Sequence, residues 1–389
     1  MNNLKPSQRR IALVTMAPFP IGNVSTIRFT SYLKALVKKN VWAKVVIYSP
    51  TSMAKHIKTK EGISSGIHYQ YSTKITWGKY VNVIVKLYYL IVGLFSTLKI
   101  LSNSNVDTVI LYGENSLLVN LMLKVGSLLF KYRLIGDRSE YPTVRQRKSR
   151  YKMVIYKLKN RLLDGMIVMT QELSDFYAKI LKRKDTIFLL PMTMDMHRFD
   201  NVKYLTTIDP YIAVVFGVHN RDGLYESIQS YIKFRDLGGN YTLKIIGDFY
   251  LMPNKSELEE LINTTPYQIE IVGKKSITEV PTILANASCL LTTPNTYISG
   301  GFPTKLGEYM LSGVPVVATR VGELDRYTSH MFDIIFAEAG NINEIANSIM
   351  WVNRNPQEAK VIAENARRTA QKNFSAETYI NDFQKFLFQ

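Results

Sequence analysis

Gly300-Gly301-Phe302-Pro303-Thr304-Lys305, continued by LGEYMLSGVPVVAT to Thr319, packs a loop, a helix and a strand into one short stretch. The glycine pair lets backbone approach a ligand closely. Pro303 fixes φ at the first helical turn, and Thr304 brings a hydroxyl to the same place. A helix starting near Thr304 aims its free N–H groups and the positive end of its dipole forward, which suits a diphosphate. Lys305 adds a point charge for the same phosphates. Glu308 stands one turn further on, where a carboxylate can accept both hydroxyls of a ribose. Ser312-Gly313 closes the helix, and Val314–Ala318 reads as the next strand.

The pattern around this stretch repeats the same alternation. Tyr211–Phe216 is a strand ending at Gly217, Gly223–Phe234 a helix, Tyr241–Ile246 a strand ending in Gly247-Asp248, and Gln268–Val272 a strand ending at Gly273. Strands that end in glycine place polar loops at the carboxyl edge of a parallel sheet, where ligands bind in such folds. The first half has the same rhythm, with strands at Ile11–Met16, Val41–Tyr48, Val106–Leu111, Tyr132–Ile135 and Asp164–Met169 and an amphipathic helix at Thr26–Lys39. This is βαβ alternation, hence parallel sheets with covering helices. The expectation is α/β: two Rossmann-like, doubly wound domains facing a central cleft. Residues 1–191 form the first, 192–374 the second, and a C-terminal helix over 375–389 crosses back onto the first.

At 389 residues the chain suits two or three domains. Its single cysteine, Cys289, lies in an apolar run, excludes an internal disulfide and fits a reducing compartment. The N-terminal apolar run stops at Pro18 without a small-residue cleavage site, so it reads as a strand rather than a secretory signal. The net charge of +18 is unevenly spread. Residues 1–200 hold 32 Lys and Arg against 11 Asp and Glu; residues 201–389 hold 17 against 20. Such a basic half is drawn to an anionic surface, phospholipid or nucleic acid. Arg145–Arg161 alone carries eight Lys and Arg and no acid. Leu87–Leu98 (LYYLIVGLFSTL), between Lys86 and Lys99, is 12 residues long, short of the roughly 20 a span needs. No transmembrane segment is therefore expected. The run is either a buried helix or one whose apolar face meets a membrane interface while Lys79, Lys86 and Lys99 meet headgroups.

Gly300–Thr319 resembles the donor-site signature of the retaining GT-B glycosyltransferases of family 4. Glu308, Tyr309, Gly313, Pro315, Val316 and Val317 match its E-(A/Y)-x-A-x-G-x-P-V-V segment. Further resemblances follow in order along the chain. Pro18–Ser25 is similar to the family's N-terminal loop, Leu190–Phe199 to its hinge, Gly217–Gly223 (GVHNRDG) to the opening of its second domain, and Ile245–Phe249 to its IIGDG turn. Asp137–Pro142 (DRSEYP) is similar to an E-R-x-E-Y-P segment of some members. One position departs: the family's first glutamate, eight residues before the second, is Gly300 here.

The resemblance implies a metal-independent hexosyltransferase, moving a hexose or N-acetylhexosamine from a nucleotide-diphosphate sugar, most simply a UDP-sugar. The basic, aromatic first half points to an acceptor held at a membrane, a lipid-linked or surface-polysaccharide precursor at the cytoplasmic face. The resemblance assigns Glu308 to the ribose, Gly22, Arg221 and Lys305 to the diphosphate, and Gly301, Phe302 and Thr304 to the sugar end. Asp137 and Glu140 become the acceptor-side catalytic candidates. No D-x-D motif occurs, so no bridging metal or other cofactor is implied. Three other readings remain: a nucleic-acid-binding protein, against which stands the lack of any recognisable binding pattern; a non-catalytic GT-B scaffold; and a nucleotide-sugar epimerase on the same fold.

Overall fold

The computed structural model of the chain describes residues 8–22, 24–78, 81–183, 185–205, 209–217, 220–295, 300 and 302–389. They divide into two compact units. Unit 1 comprises Met1–Met194, Ser299–Gly301 and Ala376–Gln389; unit 2 comprises Asp195–Ile298 and Phe302–Ser375.

In unit 1 the strands are β1 (Arg10–Thr15), β2 (Trp42–Ile47), β3 (Glu61–Ser64), β4 (Ile67–Tyr71), β5 (Thr108–Tyr112), β6 (Arg133–Arg138), β7 (Gly165–Val168) and β8 (Ile187–Leu189). Its helices are α1 (Val24–Lys38), α2 (Val83–Ser104), α3 (Leu117–Phe130), α4 (Val144–Arg147), α5 (Arg150–Arg161) and α6 (Gln171–Leu181). The sheet order is β3-β4-β2-β1-β5-β6-β7-β8, with only the edge pair β3–β4 antiparallel. The central strands β1 and β5 are mostly apolar, as strands buried on both faces are; Ile11, Ala12, Leu13 and Val14 of β1 are all fully buried.

Unit 2 contains β9 (Tyr211–Val215), α7 (Leu224–Asp236), β10 (Thr242–Ile246), α8 (Lys255–Thr264), β11 (Ile269–Gly273), α9 (Val280–Ala285), β12 (Cys289–Thr292), α10 (Thr304–Ser312), β13 (Val316–Thr319), β14 (Ile335–Ala337), α11 (Ile342–Arg354) and α12 (Pro356–Asn373). Its sheet order is β11-β10-β9-β12-β13-β14, all parallel. The last helix, α13 (Ala376–Leu387), belongs to unit 1. There Phe383 meets Tyr32 edge-on at 5.5 Å between ring centroids, and Thr108 donates its hydroxyl proton to the Leu387 carbonyl at 2.7 Å.

The apolar run bounded in sequence by Lys86 and Lys99 is not a 12-residue segment. Both lysines lie inside α2, which has 22 residues and is long and apolar enough to cross a membrane. The expectation that no segment reaches that length is thereby corrected. The helix does not stop at its lysines because their side chains point outward and break no backbone hydrogen bond. It begins instead at Asn82, whose side chain accepts from the Val85 N–H at 2.9 Å. It ends at Asn105, which adopts the left-handed conformation at φ 45°. Lys79 lies outside the described residues.

Candidate functional site

Chain order in unit 2 locates the site. From β9 the chain moves outward to β10 and β11; β12 returns to the other side of β9, and β13 and β14 continue away from it. The order therefore reverses between β9 and β12, and a ligand crevice opens at the carboxyl ends of such a strand pair. The loop after β9 carries Gly217–Gly223, and the loop after β12 leads into α10.

These two loops are tied together. Thr293 donates its hydroxyl proton to the Gly223 carbonyl at 2.7 Å. Gly223 sits at φ +72°, and a Cβ there would stand 1.7 Å from the Thr293 carbonyl oxygen, so no other residue fits. Tyr309, fully buried on α10, accepts the Val215 N–H at 2.7 Å and so fastens the helix to the end of β9.

On this frame two ion pairs stand one helical turn apart. The Asp222 carboxylate accepts from the Gly217 N–H at 2.5 Å and from the Lys305 ammonium at 2.6 Å. Burial pushes its pKa up, but Lys305 and the Gly217 N–H outweigh that and leave it below the usual carboxylate range. Burial lowers the Lys305 pKa, and Asp222 restores part of the loss. One turn on, Glu308 meets Arg198 at 2.8 Å, with only 18% and 12% of the two side chains exposed. Burial raises Glu308 above the ordinary glutamate range, with Arg198 first and Lys305 second opposing it. Arg198 also donates to the Ile277 carbonyl at 3.1 Å. The result is a pair of acids and a pair of bases, largely shielded from water, at the start of a helix.

The sequence candidates fall into several groups. Lys305 and Glu308 come together on α10 as expected. Arg221 is exposed beside Asp222, and its charge reaches both Asp222 and Lys305. Phe302 is corrected: its ring is buried against Tyr327 at 5.6 Å and Phe374 at 5.3 Å. An apolar ring gains more from that aromatic cluster than from lining a hydrated sugar site. Gly301 and the Thr304 side chain lie outside the described residues.

In unit 1, Gly22 closes a tight loop, where a Cβ would fall 2.0 Å from the Thr26 hydroxyl. Gly300 has φ +68°, and a Cβ would stand 2.4 Å from the Tyr141 ring. Backbone and space both disfavour a glutamate there. Glu140 follows β6 and is exposed, with its carbonyl accepting from the Tyr177 hydroxyl at 3.4 Å. Asp137 is corrected as an acceptor-side group. It is buried, bonded to Arg28 at 2.6 Å and to the Tyr32 hydroxyl at 3.0 Å. Arg28 in turn donates to the Leu190 carbonyl at 3.1 Å. That arrangement ties α1 and the end of β8 to β6, and the carboxylate presents nothing to a ligand.

Sequence reasoning missed Asp222 and Arg198. Both lie inside motifs already singled out, GVHNRDG and the hinge segment. Their partners, however, are 83 and 110 positions away, and no local pattern announces such pairs.

Residues 200–369 match the model of the glycosyl transferases group 1 family. Among solved structures, HepE of Anabaena in complex with UDP is similar at a TM-score of 0.73, with 14% identity, covering 97% of this chain and 99% of that one. A glycosyltransferase from Rickettsia africae is similar at 0.74, with 15% identity and 98% of each chain covered. The fold is GT-B. An uncharacterised glycosyltransferase of Methanocaldococcus jannaschii is 28% identical over 133 residues, which span 34% of this GT-B chain and 36% of the relative. The group 1 match covers most of unit 2 and includes Asp222, Lys305 and Glu308, whereas Arg198 lies just before it.

Proposed function

We propose that the protein is a retaining, metal-independent glycosyltransferase of the family 4 type. It moves a hexose or N-acetylhexosamine from a UDP-sugar to a lipid-linked or surface-polysaccharide precursor at the cytoplasmic face of the membrane. The observation that carries this reading is the pairing on α10, where Lys305 opens the helix and the shielded Glu308 carboxylate follows one turn later. The similar HepE structures were solved with UDP and with UDP-glucose, which favours a uridine nucleotide.

In this reading the diphosphate sits before α10, where the first backbone N–H groups, the Lys305 ammonium and Arg221 face its charge. Lys305 has three N–H donors, so it can serve a phosphate while keeping Asp222. Glu308 accepts the two ribose hydroxyls, and Arg198 opposes the effect of burial and so favours its ionised form. The acceptor hydroxyl oxygen attacks the anomeric carbon on the face from which UDP departs. The bond from that carbon to the diphosphate oxygen breaks with its electron pair, and the hydroxyl proton passes to the departing phosphate. Catalysis is then chiefly stabilisation of the leaving diphosphate. Glu140 orients the acceptor hydroxyl.

A thermal-shift panel of UDP-, GDP-, ADP- and dTDP-sugars tests the donor, since a ligand at 100 times its dissociation constant adds about 2.7 kcal/mol to stability. Glu308→Ala is expected to weaken UDP binding by about 1.5–3 kcal/mol. Full UDP affinity and turnover in that variant, or transfer abolished by a chelator, would count against the assignment.

A further inference from the structure

In unit 1, α3 packs against both α2 and α5, so the three helices lie side by side. Each leaves an apolar stripe in water at helical spacing. On α2 it is Ile84, Leu87, Ile91 and Phe95, with Phe95 63% exposed. On α3 it is Leu118, Leu121, Val125 and Leu128, the last 72% exposed. On α5 it is Tyr151, Val154 and Leu158, with Tyr151 74% exposed. A soluble monomer rarely leaves a joined apolar surface of this kind bare.

Charge identifies what covers it. The three helices together contain eight Lys and Arg and no Asp or Glu. Lys124 and Lys159 are held in ion pairs with Asp164 and Glu114. The other six include Arg150, Lys157 and Arg161, which share the exposed side of α5 with its apolar stripe. A second copy would set the same cations against their like, so self-association is opposed. An anionic bilayer surface offers acyl chains for the stripes and phosphates for the cations.

We infer that the α2–α3–α5 face seats this protein on an anionic phospholipid surface, lying in the interface rather than spanning it. Spanning conflicts with how α2 is held. Leu94, Thr97 and Leu101 are buried on its inner side, and a Cβ on Gly93 would stand 2.0 Å from the Tyr48 carbonyl oxygen. Drawing the helix into a bilayer would strip those contacts from the unit. The inference rests on this face alone, whatever sugar or acceptor the donor site serves.

The test is flotation of the full chain with vesicles of phosphatidylcholine, and with vesicles in which part of that lipid is phosphatidylglycerol. Binding is expected to the second and to be weaker, on the order of tenfold, in neutral vesicles or at raised salt. Leu121→Glu with Leu128→Glu is expected to lose it to a similar degree while unfolding at the wild-type temperature. Lys157→Glu with Arg161→Glu is expected to weaken it as well. Four results would overturn the inference: wild type binding neither vesicle; both variants binding as wild type; a dimer that the leucine variant dissolves without vesicle binding; or protein that alkaline carbonate cannot release, which marks a span. The thermal shift with UDP is measured on the same samples, so failure of the donor reading and failure of this one register separately.

Discussion

Taking the Glu308 carboxylate out of water raises its pKa above the ordinary glutamate range, and Arg198 and Lys305 pull it only part of the way back. In the free protein this group stabilises the fold most at low pH and loses that contribution as pH rises through the raised value. Under the proposed function, nucleotide binding runs the other way, because an ionised carboxylate is the stronger acceptor for two hydroxyls. UDP affinity is therefore expected to fall on acidification, beginning above the range of an exposed glutamate. Arg198→Met removes the main opposing charge, so the acid limb moves to higher pH and affinity at neutrality drops by about 1.5–3 kcal/mol. Titration calorimetry between about pH 5 and 8 reads both, and an unmoved limb removes Arg198 from this role. Asp137 predicts differently. It is fully buried against Arg28, and Asp137→Asn leaves that guanidinium without its counter-charge at a cost of about 3–5 kcal/mol. UDP affinity should stay unchanged where the protein remains folded. Wild-type melting combined with lost transfer would restore Asp137 to catalysis.

At the scale of elements, α10 places Lys305 and Glu308 only because something holds it against the sheet, and Tyr309 does so from within the helix. Its hydroxyl accepts the Val215 N–H at the last residue of β9. Tyr309→Phe keeps the ring volume and leaves that N–H without its partner, at about 1–3 kcal/mol. Urea unfolding should show the loss, and UDP affinity should fall with it because both ion pairs depend on the position of α10. Loss of stability at constant affinity would mean that other contacts position the helix. The element itself was legible: Pro303 before it and Gly313 after it bracket an apolar spacing, and the helix runs from Thr304 to Ser312 between them. Most strands of both sheets were legible for a related reason, since runs buried on both faces read as continuous apolar segments; β8 and β14, three residues each, were too short to stand out. The β3–β4 hairpin was not legible, because EGIS is a short edge strand with Glu61 and Ile63 exposed, and IHYQY beside it alternates buried with half-buried residues, so neither forms a continuous apolar run. The extent of α2 does not show in the sequence because Lys86 and Lys99 interrupt its apolar run, whereas Asn82 and Asn105 set its ends. The acid–base pairs of the site were illegible because they depend on tertiary approach, which spacing along the chain does not encode.

For the whole molecule, the division of charge in the sequence follows the division into units: the excess positive charge falls in residues 1–200, and unit 1 takes nearly all of them. Besides the short stretch 299–301, the C-terminal segment departs from chain order, since α13 follows unit 2 but packs in unit 1. Ile380, Phe383, Phe386 and Leu387 are all buried in that core. Fully burying four such side chains is worth about 6–12 kcal/mol, on the order of the entire stability of a domain. Lys38–Glu377 at 2.8 Å adds little, both side chains being half exposed or more. Truncation after Ser375 is therefore expected to unfold unit 1 or leave it with rapid amide exchange across β1, β2 and α1. Unit 2 keeps its own core, from Ile212 on β9 to Ile362 on α12, and loses none of it. Hydrogen exchange should show its central strands protected as in the full chain. UDP should still protect the α10 segment, because Lys305, Asp222, Arg198 and Glu308 all belong to unit 2. Equal loss of protection in both units would instead mean that unit 2 depends on unit 1 to fold. Loss of UDP protection with unit 2 intact would place an essential part of the nucleotide site in unit 1, where Gly22 is the residue to examine.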